Sequence, residues 1–214
     1  MPVQPQATVR LLIVDDHPVV VAGLTSMLGT QPSMQVVGSA CCGEDAITFM
    51  RTHPIDVLLI DLRMPGMSGI DTLRALASAR LNARAIILTS FETDEDIYRA
   101  VQAGAQGYLL KDAPQSDMIE AIWAVFNGKR YFPRSIAERL AERMMRTDLT
   151  TRELEVLQML ARGLTNKEIG RALDISGNTV RNHVNSIIAK LDVSDRTEAA
   201  TTAIHRGLIE AQYS

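Results

Sequence analysis

The chain has 214 residues, of which 46% are hydrophobic and 22% charged, with a net charge of −3. That length suits one large domain or two small ones. No stretch approaches the roughly 20 apolar residues of a membrane span, and Met1 to Thr8 has no basic residue ahead of an apolar core, so neither a membrane protein nor a secretory signal is expected.

The net charge conceals an asymmetry. Residues 1–128 hold 8 Lys and Arg against 14 Asp and Glu, a net of −6, and residues 129–214 hold 14 against 11, a net of +3. An acidic first part and a basic second part point to two domains with different partners. The only cysteines are Cys41 and Cys42. Sequence neighbours rarely form a good disulfide, so reduced thiols in the cytosol are expected. Two cysteines at zero spacing also make a poor metal site, and they read as packing residues.

Residues 9–128 alternate strand-like and helix-like segments. Leu11 to Val14 is an apolar run that ends in Asp15-Asp16, and Pro18 to Leu28 follows with helical periodicity. Met34 to Ser39 reads as a second strand and Gly43 to Thr52 as a helix. Val57 to Ile60 is a third strand ending at Asp61, followed by the loop 63–69 and a helix from Ile70 to Ala79. Ala85 to Leu88 runs into Thr89-Ser90, with a helix from Glu92 to Ala103 whose acidic first turn suits its dipole. Gly107 opens a fifth strand, Tyr108 to Leu110, which ends at Lys111. Ser116 to Phe126 is a last helix, closed by Asn127-Gly128. Short apolar runs of this kind are buried parallel strands. Five βα repeats make an α/β doubly wound parallel five-stranded sheet over 9–128.

From residue 129 the pattern changes. Residues 129–148 read as a linker: an extended piece, Arg130 to Pro133, then a helix from Ser135 to Arg146 with Ile136, Leu140 and Met144 on one face. Residues 149–214 read as an all-α domain of four short helices. Three capping boxes are expected there, at Thr150 with Glu153, Thr165 with Glu168 and Asp195 with Glu198. The helix from Thr165, the turn Asp174-Ile175-Ser176 and the helix to Leu191 fit a helix-turn-helix.

In an open α/β sheet, ligands bind beyond the carboxyl ends of the strands. Asp15, Asp16, Asp61, Thr89 and Lys111 all fall at such ends. A carboxylate can attack a phosphoryl group and hold it as an acyl phosphate, and a bridging metal can neutralise the incoming oxygens. Mg²⁺ needs only two or three carboxylates because it keeps several waters. Lys111 offers a point charge for the phosphoryl oxygens and Thr89 a hydroxyl. His17 follows the acidic pair and reads as a surface residue, or one that supports the pair from behind, rather than as a metal ligand or phosphodonor.

The strings LIVDDHP (12–18), VLLIDLRMPGMSG (57–69), IILTS (86–90) and GYLLKDA (107–113) resemble the response-regulator receiver domain of bacterial two-component systems, which is flavodoxin-like. The resemblance implies that Asp61 is the phosphoacceptor for a sensor histidine kinase. It implies that Asp15, Asp16 and Asp61, with the backbone carbonyl of Arg63, hold Mg²⁺. Thr89 and Tyr108 match the switch pair, and Lys111 the phosphate-binding lysine. Many receivers have proline directly after that lysine; here it comes only at Pro114.

Residues 149–200 resemble the LuxR-type helix-turn-helix, and the combination resembles the NarL/FixJ family. The family's DNA contacts fall here on Thr179, Arg181, Asn182, Asn185 and Lys190 of the second helix. Arg suits guanine and Asn suits adenine. Thr165, Asn166 and Lys167, at the preceding helix start, could hold phosphate. The last helix, from Arg196, forms a dimer interface in the family. The implied protein is a cytoplasmic, phosphorylation-switched transcription factor with promoter DNA, a kinase and RNA polymerase as partners, forming a homodimer on activation. It is not expected to be an enzyme beyond gaining and losing its own phosphate. Thr89 would swing toward the phosphate and Tyr108 would fill the vacated space. Two other readings are a small-molecule phosphohydrolase and an atypical regulator of the same architecture that binds DNA without phosphate.

Overall fold

The computed structural model describes residues 8–81, 84–90 and 93–209. Residues 1–7 and Glu92, the expected start of the fourth helix, lie outside the described residues. Packing divides the chain into two compact units. One comprises residues up to 92 together with 99–137, and the other 93–98 with 138–214.

The first unit is built on five strands: β1 (Val9–Val14), β2 (Met34–Ala40), β3 (Val57–Asp61), β4 (Arg84–Thr89) and β5 (Gly107–Leu110). All neighbours pair in parallel, in the order β2-β1-β3-β4-β5. Every residue of β3 is buried, as are the last four of β1 and the last five of β4. That is why these strands are continuous apolar runs: both faces of the sheet are covered, and each fully buried aliphatic side chain contributes about 1.5–3 kcal/mol. The connecting helices are α1 (Pro18–Gly29), α2 (Gly43–Met50), α3 (Gly69–Ser78), α4 (Asp94–Gln102) and α5 (Gln115–Phe126). Beyond α5, Tyr131 forms a parallel bridge with Gly107. Its carbonyl accepts from the Tyr108 N–H at 3.1 Å, so the extended connector partly covers the exposed edge of β5. No described peptide bond is cis, and Pro114 caps α5.

In the second unit, α7 (Thr151–Ala161), α8 (Asn166–Leu173), α9 (Gly177–Leu191) and α10 (Arg196–His205) surround Val156, Leu157, Leu160, Ile169, Val180, Val184, Ile187 and Leu191. The first two capping boxes form as the pattern predicts. The third does not: Asp195 caps α10, but the Glu198 carboxylate reaches back to the N–H and hydroxyl of Ser194, one residue earlier than a reciprocal box requires. The helix α6 (Arg134–Met145) also departs from expectation. Ile136 is buried but Met144 is exposed, and the buried residue of that turn is Arg143. Arg143 donates to Glu95 at 2.8 Å and Asp148 at 2.7 Å and lies over the Tyr98 ring. Arg139 and Arg146 bind Asp94 at 2.9 and 2.6 Å. Within this unit α6 is thus held by paired charges rather than by an apolar stripe.

Cys41 is not a packing residue. Cys41 is exposed and Cys42 half-buried, because β2 ends at Ala40 and the chain bends away from the sheet into α2. Among the described residues, no helix is long and apolar enough to cross a membrane.

Candidate functional site

β1 and β3 are adjacent at the middle of the sheet, with β2 outside one and β4 outside the other. The connections therefore diverge above these two strand ends, which opens a crevice there. β1 delivers Asp15 and Asp16 to that crevice and β3 delivers Asp61. One carboxylate oxygen from each, with a His17 ring nitrogen, lie within 4.8 Å of one another. Asp15 and Asp61 are only 3% and 5% exposed.

Three carboxylates so close and so poorly solvated repel each other and call for a cation. Lys111 supplies one. Its Nζ lies 2.7 Å from Asp15 Oδ2 and 2.8 Å from Asp61 Oδ2. Burial works against its charge, but the bonds to the two carboxylates outweigh it and hold the ammonium above the usual lysine range. The Lys111 N–H donates to the Thr89 carbonyl at 2.9 Å, which fixes where that side chain leaves β5. Asp16 Oδ1 is buried without a hydrogen bond, although His17 Nδ1 is 3.1 Å away. A buried carboxylate oxygen left in this way, beside two more, suits a hard cation that takes oxygen ligands and waters. The cluster could hold a metal ion.

Gly69 keeps the crevice open at its base. A Cβ there would lie 2.2 Å from the Asp61 carbonyl oxygen, so only glycine lets α3 start so close to β3. Thr89 is 1% exposed at the end of β4. Tyr108 pairs with Ile87, two residues before Thr89, so the two side chains share a face of the sheet. The Tyr108 ring is already completely buried.

The second candidate surface is the exposed face of α9. Thr179, Arg181, Asn182 and Asn185 are exposed there, as is Lys167 in the first turn of α8. Three other expected DNA contacts are engaged within the domain. Lys190 donates to the buried Glu153 at 2.7 Å. The N–H and hydroxyl of Thr165 both donate to Glu168 at 2.7 Å, within the capping box of α8. Asn166 is half-buried and accepts from Arg196 at 3.4 Å. Gly170 permits the tight crossing of α8 and α9, since a Cβ there would lie 2.7 Å from the Ile175 carbonyl oxygen. Between the helices runs an open groove lined by Lys167, Arg171, Asp174, Asn178 and Arg181.

Residues 11–123 match the response regulator receiver domain, and residues 147–203 match the bacterial regulatory proteins of the luxR family. The chain belongs to the NarL/FixJ family of response regulators. It is 41% identical to the nitrate/nitrite response regulator protein NarP of Escherichia coli, over 91% of this chain and 94% of that one. It is 37% identical to the transcriptional regulatory protein LiaR of Bacillus subtilis, over 94% and 99%. A solved structure of two RcsB dimers bound to two parallel DNAs is 25% identical, with a TM-score of 0.70 over 91% of this chain and 97% of that one. This response regulator is accordingly a DNA-binding transcriptional regulator.

Sequence reasoning missed Arg171 and Asn178 of the groove in this regulator. Arg171 was within reach, because it stands four residues after Lys167 and so on the same face of α8. His17 is exposed, as expected, and its backbone N–H and ring nitrogen lie 2.9 and 3.1 Å from Asp15 Oδ1.

Proposed function

We propose that Asp61 accepts a phosphoryl group from a sensor histidine kinase and that the acyl phosphate controls binding to promoter DNA. The observation that carries this reading is the convergence of Asp15, Asp16 and Asp61 on one crevice with Lys111 bridging two of them. An Asp61 oxygen attacks phosphorus, the P–O bond forms as the P–N bond of the donor imidazole breaks, and the imidazole keeps the nitrogen lone pair. Asp15, Asp16, Asp61 and the Arg63 carbonyl would hold Mg²⁺, which neutralises charge on the phosphoryl oxygens when bound. Lys111 then has a new partner, since the phosphoryl oxygens compete with Asp15 for its ammonium. The buried Thr89 hydroxyl is the neighbouring donor at the end of β4.

The aspartyl phosphate is a signal, and no turnover of an external substrate is proposed. The regulator would act in the cytoplasm as a homodimer on DNA and would influence RNA polymerase there. The RcsB complex, with dimers on DNA, supports the dimeric form. The test is promoter binding with and without acetyl phosphate and Mg²⁺, comparing wild type with Asp61→Asn. Phosphate-stimulated binding by wild type alone is expected. Equal binding in all four conditions would favour a regulator that works without phosphate.

A further inference from the structure

We propose that Cys41, Cys42 and Asp45 form a second cation site in this regulator, one that takes a thiophilic divalent ion of the Zn²⁺ or Cd²⁺ class. In a strand, neighbouring side chains point to opposite faces, which is why adjacent cysteines make a poor chelate. Here the strand has ended. Ala40 is the last residue of β2, Cys41 lies in the bend, and Cys42 is the extended residue before α2, with φ −154° and ψ 168°. The alternation is lost, and both sulfurs and an Asp45 carboxylate oxygen come within 4.8 Å of one another. Cys41 Sγ is 3.4 Å from Asp45 Oδ2. Ligand atoms around a tetrahedral zinc stand about 4 Å apart.

The donor set decides the class of ion. Two sulfurs and one carboxylate leave a fourth position for water, and sulfur ligands select zinc-like ions over magnesium. Glu44 and Asp45 in the first turn of α2 place negative charge beside the two sulfurs, which attracts a metal ion, and each ligating thiol releases its proton. The oxygen cluster is nearby but distinct. The Ala40 carbonyl accepts from the Asp15 N–H at 3.1 Å, so an ion on Cys41 adjoins the strand end that carries Asp15.

The test uses the full chain, reduced with a phosphine and stripped of metal, and titrated with Cd²⁺ in the presence of excess Mg²⁺. A thiolate-to-metal charge-transfer band that saturates at a single ion per chain is expected, together with protection of both cysteines from alkylation. Cys41→Ser should abolish the band, and Asp45→Asn should weaken binding by about tenfold. Asp15→Asn with Asp16→Asn should leave it in place. Should the serine variant fold poorly, wild type alkylated at the exposed Cys41 must also lose the band. The proposal is overturned if no saturable band appears, if the band survives in Cys41→Ser, or if it vanishes in the Asp15/Asp16 variant with both cysteines intact. The last result would show that the cysteine site depends on the phosphoryl crevice and is not separate from it.

Discussion

Lys190 on α9 and Glu153 on α7 form a 2.7 Å ion pair in which the carboxylate is only 4% exposed. Glu153 also accepts from Ser186 at 2.6 Å and from the Thr150 N–H at 2.7 Å. One carboxylate thus caps α7 and ties it to α9. Burial opposes its charge, but the Lys190, Ser186 and Thr150 bonds prevail and lower its pKa to about 2. A lowered carboxylate contributes stability above its unfolded value near 4.5, and that contribution is lost as pH falls toward about 2. Glu153→Gln should therefore destabilise the second unit at neutral pH by on the order of 2–3 kcal/mol. It should also flatten the acid limb of the stability curve. Urea unfolding of wild type and variant between neutral pH and acid measures both effects.

The same pair predicts how the helix meets DNA. A lysine that neutralises a phosphate contributes about one unit to the slope of log affinity against log salt. Lys190→Ala should lower stability while leaving that slope nearly unchanged, because its charge is engaged by Glu153. Arg181→Ala, at an exposed position, should cost about 1–3 kcal/mol of binding and relax base preference. Fluorescence anisotropy over a salt series separates the two. A fall of a full unit in slope for Lys190→Ala would mean that the Glu153 pair opens on DNA.

At the other site, Lys111→Met leaves Asp15 and Asp61 facing each other without their shared cation. Removing one partner of a buried ion cluster costs about 3–5 kcal/mol, and less is expected here because a bound divalent ion can replace the ammonium. The variant should be less stable than wild type without Mg²⁺ and recover part of the difference with it. The raised Lys111 pKa fixes the sign with pH. Its contribution is intact below the ordinary lysine value near 10.5 and is lost as pH climbs through the higher folded-state value. Alkaline unfolding should begin at higher pH in wild type than in a variant that lacks Asp61.

The two sites were legible in the sequence to different depths. Asp15, Asp16, Asp61, Thr89 and Lys111 could be placed because each ends a buried strand, and an apolar run shows where it stops. Arg143 could not. A buried arginine on α6 depends on Glu95, 48 residues earlier, and on Asp148. No local period encodes a pairing at that separation, and the apolar pattern of α6 points to Met144 instead. The exposed face of α9 was legible from its 3.6-residue period. The engagement of Thr165, Asn166 and Lys190 was not, because it depends on which hydrogen bonds win locally. The cysteines misled for a related reason: spacing counts residues, whereas the bend after Ala40 decides direction.

Gly69 provides the sharpest test of how the fold positions Asp61. Its missing Cβ leaves 2.2 Å to the Asp61 carbonyl oxygen, and that oxygen belongs to backbone that cannot swing aside. Gly69→Ala must displace either the start of α3 or the end of β3. Overpacking of this kind costs about 1–3 kcal/mol. The Leu62 carbonyl, which accepts from the Gly69 N–H at 3.0 Å, would shift with it. Since the nucleophile must stay within reach of Lys111, a displacement of β3 should slow acetyl-phosphate labelling of Asp61 by more than the stability loss explains. Gly23→Ala, on α1 with nothing within 4 Å of the added methyl, is the matched control and should label at the wild-type rate. Mass spectrometry of the phosphorylated chain over time reads the outcome, and equal labelling of both variants would show that α3 yields and β3 does not.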